Sequence, residues 1–244
     1  PQHRPRYQPA SHPESYPLAR YPNPMHTSFT SNDRAVTLET FIPLNGSHPP
    51  TPLPALLILH GSGGNTGYWL ERIAPFTKHL SLALFAVHYL EASGDLRAQP
   101  SQLTDDIHVP IWLEAARQAL KLVAANPSVD PHRIALVGIS LGAFMSLSLG
   151  TDPTLPIRAI VDISGGLVSP WDAKATPNFP PTLILHGDHD TVVPVSHAHA
   201  LDALLTRLNV PHQMKLLPGE GHFFSPPAHL QLLAAIPPFL AKHL

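Results

Sequence analysis

Residues 134–149 read Ile134-Ala135-Leu136-Val137-Gly138-Ile139-Ser140-Leu141-Gly142-Ala143-Phe144-Met145-Ser146-Leu147-Ser148-Leu149, and this stretch decides the fold. Four apolar residues in a row predict a strand buried on both faces, and the run from Ala143 continues as a helix. Between them lies Gly-Ile-Ser-Leu-Gly. A chain that turns so sharply from strand to helix needs small residues on either side of the apex, because the two backbones nearly touch there. Gly138 and Gly142 meet that need and leave Ser140 at the tip. A hydroxyl in that position points out of the carboxyl edge of a sheet, and the first N–H groups of the helix face any negative charge that develops beside it. Ser140 is therefore a candidate nucleophile. On this string alone an ordinary glycine-flanked turn remains the alternative.

Outward from the turn, strands and helices alternate. Residues 35–41 read as an early strand and 43–54 as a turn-rich loop that carries the sequon Asn45-Gly46-Ser47. The apolar run 55–59 reads as a buried parallel strand. His60-Gly61-Ser62-Gly63-Gly64 and an amphipathic stretch over 68–80 follow, then an apolar strand over 82–89 and a helix over 106–125. Beyond the serine turn, 157–163, 182–185 and 213–217 read as strands, and 195–208 and 227–244 as helices. This order predicts an α/β fold with a mostly parallel, doubly wound sheet flanked by helices. The interval 165–181 is too short for a folded cap, so no large cap domain is expected. The Pro-rich residues 1–30 read as an N-terminal extension and 31–244 as one catalytic domain. A removed secretory signal or a trimmed boundary would each explain a first residue that is not Met, and a secreted or periplasmic location is favoured over a cytoplasmic one.

Composition narrows the chemistry. The 244 residues carry a formal net charge of −2, so neither a nucleic-acid partner nor an anionic membrane surface is implied. No apolar run approaches the roughly 18 residues of a membrane span. There is no cysteine, which removes disulfides, thiolate metal sites and a cysteine nucleophile together. The 17 histidines would make the protein cationic in mild acid. His197 and His199 could bind a metal, but their i,i+2 spacing splays the rings apart on a helix. No metal and no cofactor are expected.

In a doubly wound sheet, ligands bind beyond the carboxyl ends of the strands, and acid and base are sought there. After strand 182–185 comes His186-Gly187-Asp188-His189-Asp190, and after strand 213–217 comes Gly219-Glu220-Gly221-His222. The chain order is Ser, Asp, His, and the intervals leave room for the three to converge. Asp188 and Asp190 compete for the acid, either one being equally suited to forming the turn, and Asp162 at the end of another strand is a third candidate. His60, His186 and His189 are read as loop-bracing residues. Tyr68, Trp69 and Trp171 could line a substrate pocket, while Trp112, on the apolar face of a helix, reads as core.

The set of motifs at 60–64, 138–142, 186–190 and 221–222 resembles the α/β-hydrolase superfamily, and within it the dienelactone hydrolase-like group, over roughly residues 35–244. The resemblance implies a Ser140-Asp190-His222 triad, with the acid at the fourth place after the strand-ending His186. It departs in one respect: dienelactone hydrolases proper use a cysteine nucleophile, so a serine esterase of similar build is implied instead. In that mechanism His222 takes the serine proton and returns it to the leaving group, and Asp190 fixes the imidazole tautomer. The oxyanion would be met by the N–H of Leu141 and by an N–H of the loop after strand 55–59, with Ser62 the choice and Gly63 its neighbour. The substrate is expected to be a small-molecule or polymer-linked carboxylic ester. A small prolyl oligopeptidase-like peptidase, a thioesterase, and a catalytically silent binding protein of the same fold are the alternatives.

Overall fold

Residues 25–43, 52–64, 66 and 81–244 are described by the structure, a computed structural model. Strand alternation sorts the apolar side chains onto two faces. In β3 (Leu53–Leu59), Ala55, Leu57 and Leu59 enter one cluster, and Leu56 and Ile58 enter another on the opposite face. The same division runs through β5 (Val129–Ile139), where Ile134 and Leu136 face one way and Ala135 and Val137 the other. Two faces that both exclude water need helices on both sides. Helices α1 (His108–Ala124) and α2 (Leu141–Gly150) cover the first face, and α4 (Pro226–His243) covers the second. Helix α3 (Ser196–Arg207) packs through Ala198, Leu201 and Leu205 onto Ile160 and Ile184 in a third cluster.

The remaining strands are β1 (Met25–Ser31), β2 (Arg34–Phe41), β4 (Ala83–Val87), β6 (Ala159–Ile163), β7 (Thr182–Gly187) and β8 (His212–Leu217). The eight lie in the order β1-β2-β4-β3-β5-β6-β7-β8. Pairings from β4 to β8 are parallel, and those of β1 with β2 and of β2 with β4 are antiparallel. From β3 the chain moves first to β4 on one side and then to β5 on the other. A crevice between the carboxyl ends of β3 and β5 results, the topological switch point at which such sheets bind ligands. Gly61 follows β3 there, and Ser140 follows β5. Among the described residues no segment forms a large cap over that edge, and no helix is long and apolar enough to cross a membrane.

Two elements differ from the sequence reading. Strand β1 lies in the sheet, although the sequence reading places residues 25–30 in the Pro-rich extension. It is an edge strand with a mostly exposed, polar sequence, so it offers no buried alternation to detect. Its signal is the turn: Asn32 and Asp33 both have positive φ, 51° and 57°, as a tight two-residue hairpin requires. Strand β4 stops at Val87, because Tyr89–Ser93 winds into a 3₁₀ turn closed by Gly94 at φ 84°. The hydroxyl of Tyr89 donates to the His60 carbonyl at 2.6 Å, tying that turn to the loop after β3. The stretch 68–80 and the sequon at 45–47 lie outside the described residues.

Trp112 is wholly buried and its Nε1–H donates to Ser93 Oγ at 2.7 Å. Truncation would leave a large void and remove that bond, so Trp112→Ala is expected to cost about 3–5 kcal/mol in urea unfolding. A loss below about 1 kcal/mol would show that this part of the core is not tightly packed.

Candidate active site

The turn after β5 places Ser140 in a backbone conformation that L residues rarely adopt, φ 53° and ψ −118°. Its neighbours have no room for a side chain. A Cβ on Gly138 would lie 2.4 Å from the Ala143 Cα, and one on Gly142 would lie 2.0 Å from the Leu59 carbonyl oxygen. The strained conformation is over-determined by its surroundings: the Ser140 N–H donates to the Ile163 carbonyl at 2.8 Å, and the Ser140 carbonyl accepts from the N–H of Ala143 at 2.9 Å and of Phe144 at 3.2 Å.

His222, in the loop after β8, brings its Nε2 to 3.0 Å from Ser140 Oγ and its Nδ1 to 2.8 Å from Asp190 Oδ2. Since an ionised carboxylate can only accept, Nδ1 carries the proton and Nε2 presents its lone pair to the serine hydroxyl. Asp190 is 6% exposed, and its other oxygen accepts from the N–H groups of Val192 and Val193 at 2.9 and 2.8 Å. The competing aspartate is occupied elsewhere. Asp188 Oδ1 accepts from the Gly219 N–H at 2.7 Å and so braces the loop that carries His222.

The loop after β3 is held open toward the same point. His60 stacks on Tyr89 at 4.4 Å between ring centroids and donates from Nδ1 to the Gly61 carbonyl at 2.7 Å. Burial pushes its pKa down to about 4, so the ring is neutral. The Ser62 carbonyl accepts from the Ala98 N–H at 2.8 Å. Ser62 and Gly63 line one cavity together with Leu141, Ser140 and His222.

That cavity measures about 1030 Å³. Leu103, Val109, Pro110, Phe144, Val168, Pro170 and Trp171 line it, and Phe223 stands beside His222 at 5.4 Å between ring centroids. Trp171 is thus a pocket residue and Trp112 is not. Tyr68 and Trp69 lie outside the described residues. Phe144, Phe223 and His197 were not anticipated as lining residues, although Phe223 adjoins His222 in sequence and Phe144 follows Ser140 by one helical turn. Among the described residues no three His, Cys, Asp or Glu side chains are grouped to hold a metal ion.

Asp162, the third candidate acid, forms no hydrogen bond or ion pair with His222. It is wholly buried, and neither carboxylate oxygen has a hydrogen-bond partner among the described residues. The Gly165 N–H offsets only part of the cost of burial, which raises its pKa from 3.8 to about 7. The folded state therefore binds this proton more tightly than the unfolded chain. Stability from the group is complete below about pH 3.8, declines above it, and is lost once the pH passes about 7. The advantage of Asp162→Asn over the wild type should grow from mild acid to pH 8, where the variant melts higher. Thermal melts with an equal difference in mild acid and at pH 8 would contradict this.

A parallel sheet with a serine at a strained strand-to-helix turn, a histidine and a buried aspartate on successive later loops defines an α/β hydrolase. Residues 47–244 match the phospholipase/carboxylesterase family, and the chain belongs to that family. It is 32% identical over 128 residues to acyl-protein thioesterase 1 of Gibberella zeae, a match covering 49% of this chain and 52% of that protein. The chain thus spans about half the length of that relative. The fold is similar to that of a dienelactone hydrolase-like promiscuous phosphotriesterase, P91, from metagenomic libraries, with a TM-score of 0.75 and 20% identity over 91% of this chain and 98% of the other. It is equally similar to a puromycin-hydrolysing peptidase of Mycobacterium tuberculosis, with a TM-score of 0.75 and 19% identity over 91% of this chain and 39% of that one.

Proposed function

We propose that the protein cleaves carboxylic esters through an acyl-enzyme formed on Ser140. The observation that carries this reading is the unbroken line from Ser140 Oγ through His222 to Asp190, opening into a cavity with apolar walls. His222 Nε2 takes the hydroxyl proton as Oγ attacks the ester carbonyl, and the imidazolium then protonates the departing alkoxide. Asp190 holds the imidazole in the tautomer that leaves Nε2 free and stabilises the cation. The N–H groups of Leu141 and Ser62 receive the oxyanion, each donor contributing about 3 kcal/mol in the transition state. Water, activated by the same histidine, releases the acid.

A thioester is the second reading, favoured by the likeness to acyl-protein thioesterase 1, since the same groups would expel a thiolate. A panel of p-nitrophenyl esters of increasing chain length, acyl thioesters and an aminoacyl anilide separates these activities. Oxygen esters should exceed the anilide by at least about 100-fold in kcat/KM; a preference for the anilide would replace the esterase reading with a peptidase.

The cavity walls imply an apolar acyl or alcohol group. Phe223 is 88% exposed at the cavity's edge, where a bound chain would cover it. Phe223→Ala should raise KM for longer-chain esters about 3- to 10-fold with little change in kcat. An unchanged KM across chain lengths would place the acyl group elsewhere.

A further inference from the structure

The Asp190 carboxylate has a fourth neighbour that the proposed mechanism does not use. His186, near the end of β7, is fully buried. Its Nε2 lies 2.8 Å from the Val193 carbonyl oxygen and 3.4 Å from Asp190 Oδ2, the same oxygen that meets His222. A carbonyl and an ionised carboxylate both only accept, so Nε2 carries the proton and Nδ1 is bare. Nδ1 indeed has no hydrogen-bond partner among the described residues. Burial lowers the pKa of the ring, in keeping with a neutral imidazole.

That single N–H closes a ring of contacts. Val193 donates its N–H to Asp190 Oδ1 and offers its carbonyl to His186, while His186 leans on Asp190 Oδ2. The carboxylate is thereby held at Oδ1 by the Val192–Val193 turn and at Oδ2 by His222, with the His186 ring packed against the turn.

We propose that His186 is a positioning residue for the triad, its Nε2–H anchoring the Val193 turn that holds the Asp190 carboxylate beneath His222. It fixes the direction from which the carboxylate meets His222. The inference rests on the Ser140-His222-Asp190 reading. Without that anchor the carboxylate is freer to turn and misaligns the base, and misplacements of about 1 Å can cost 10²-fold in rate. KM should not follow, because His186 is not among the residues lining the cavity.

The test compares His186→Leu, which removes the donor at similar volume, with His186→Gln, whose amide N–H reaches about as far. Steady-state kinetics are measured on the ester that the wild type cleaves best. For His186→Leu the expected result is a fall in kcat of about 10- to 100-fold with KM within about two-fold. His186→Gln should recover most of the lost kcat.

Wild-type kcat in His186→Leu would overturn the proposal. So would a Gln variant as impaired as the Leu variant, since the loss would then come from packing. If circular dichroism shows His186→Leu unfolded, His186→Asn takes its place, being polar yet too short to reach Val193 or Asp190; wild-type kinetics in that variant would overturn the proposal equally. Fluorophosphonate labelling of the wild type separates the two levels. Without an adduct on Ser140 the triad reading fails and this inference with it, whereas labelling with unaltered His186 variants rejects the positioning role alone.

Discussion

Ser140→Ala is expected to lower kcat by about 10⁶-fold while leaving the fold and substrate binding intact. The size follows from how the site acts as a unit: without Oγ there is nothing to acylate, and His222 and Asp190 have no partner to activate. Some rate above that in water should persist, about 10³- to 10⁴-fold, because the proposed oxyanion donors at Leu141 and Ser62 and the cavity would still polarise and hold an ester for attack by water. The side chain lost is small and its backbone neighbours are unchanged, so the melting temperature should move little; relief at the strained φ is not expected, since alanine at 53° is no easier than serine. Burst kinetics with a p-nitrophenyl ester check the claim. A variant that retains more than about a hundredth of the wild-type rate would show that another residue carries the nucleophile.

The second large effect separates two aspartates two residues apart. Asp190→Asn is expected to keep its fold and lose about 10⁴-fold in kcat, because an amide can favour the wrong imidazole tautomer and does not stabilise the imidazolium. The asparagine oxygen can still accept from Val192 and Val193, as Asp190 Oδ1 does at 2.9 and 2.8 Å, which preserves the turn. Asp188→Asn keeps an acceptor for the Gly219 N–H, 2.7 Å away from Asp188 Oδ1, and should lose less than about ten-fold. Both are measured at pH 8 with circular dichroism as the control. An inactive Asp188→Asn beside an active Asp190→Asn would reverse the assignment.

These two residues also show how far the sequence could be read. The strands and helices around Ser140 were legible because buried parallel strands are written as unbroken apolar runs, and the close approach at Gly138 and Gly142 is written as glycine. The choice between Asp188 and Asp190 was not readable from the residues themselves. Both suit a turn, and only the fold shows that one carboxylate braces Gly219 while the other passes beneath His222. Strand β1 escaped because an exposed edge strand needs no apolar alternation, and the Asn32-Asp33 turn that marks it is weaker than an Asn-Gly pair. The cavity walls escaped for another reason: Leu103, Val168 and Phe223 come from loops whose convergence depends on the whole sheet, and no local pattern encodes it. His186 was read as a loop-bracing residue, which its bond to the Val193 carbonyl agrees with. Its approach to Asp190 is a matter of side-chain direction that sequence spacing does not carry.

The central claim is that Ser140 becomes covalently acylated. The direct measurement is to mix the enzyme with a slowly deacylated ester, quench in acid, and map the acyl group by peptide mass spectrometry. One acyl group on the peptide containing Ser140, absent from Ser140→Ala and accumulating more slowly in Asp190→Asn, is the predicted result. Turnover with no acyl group at Ser140, or an adduct that persists in Ser140→Ala, would contradict the account.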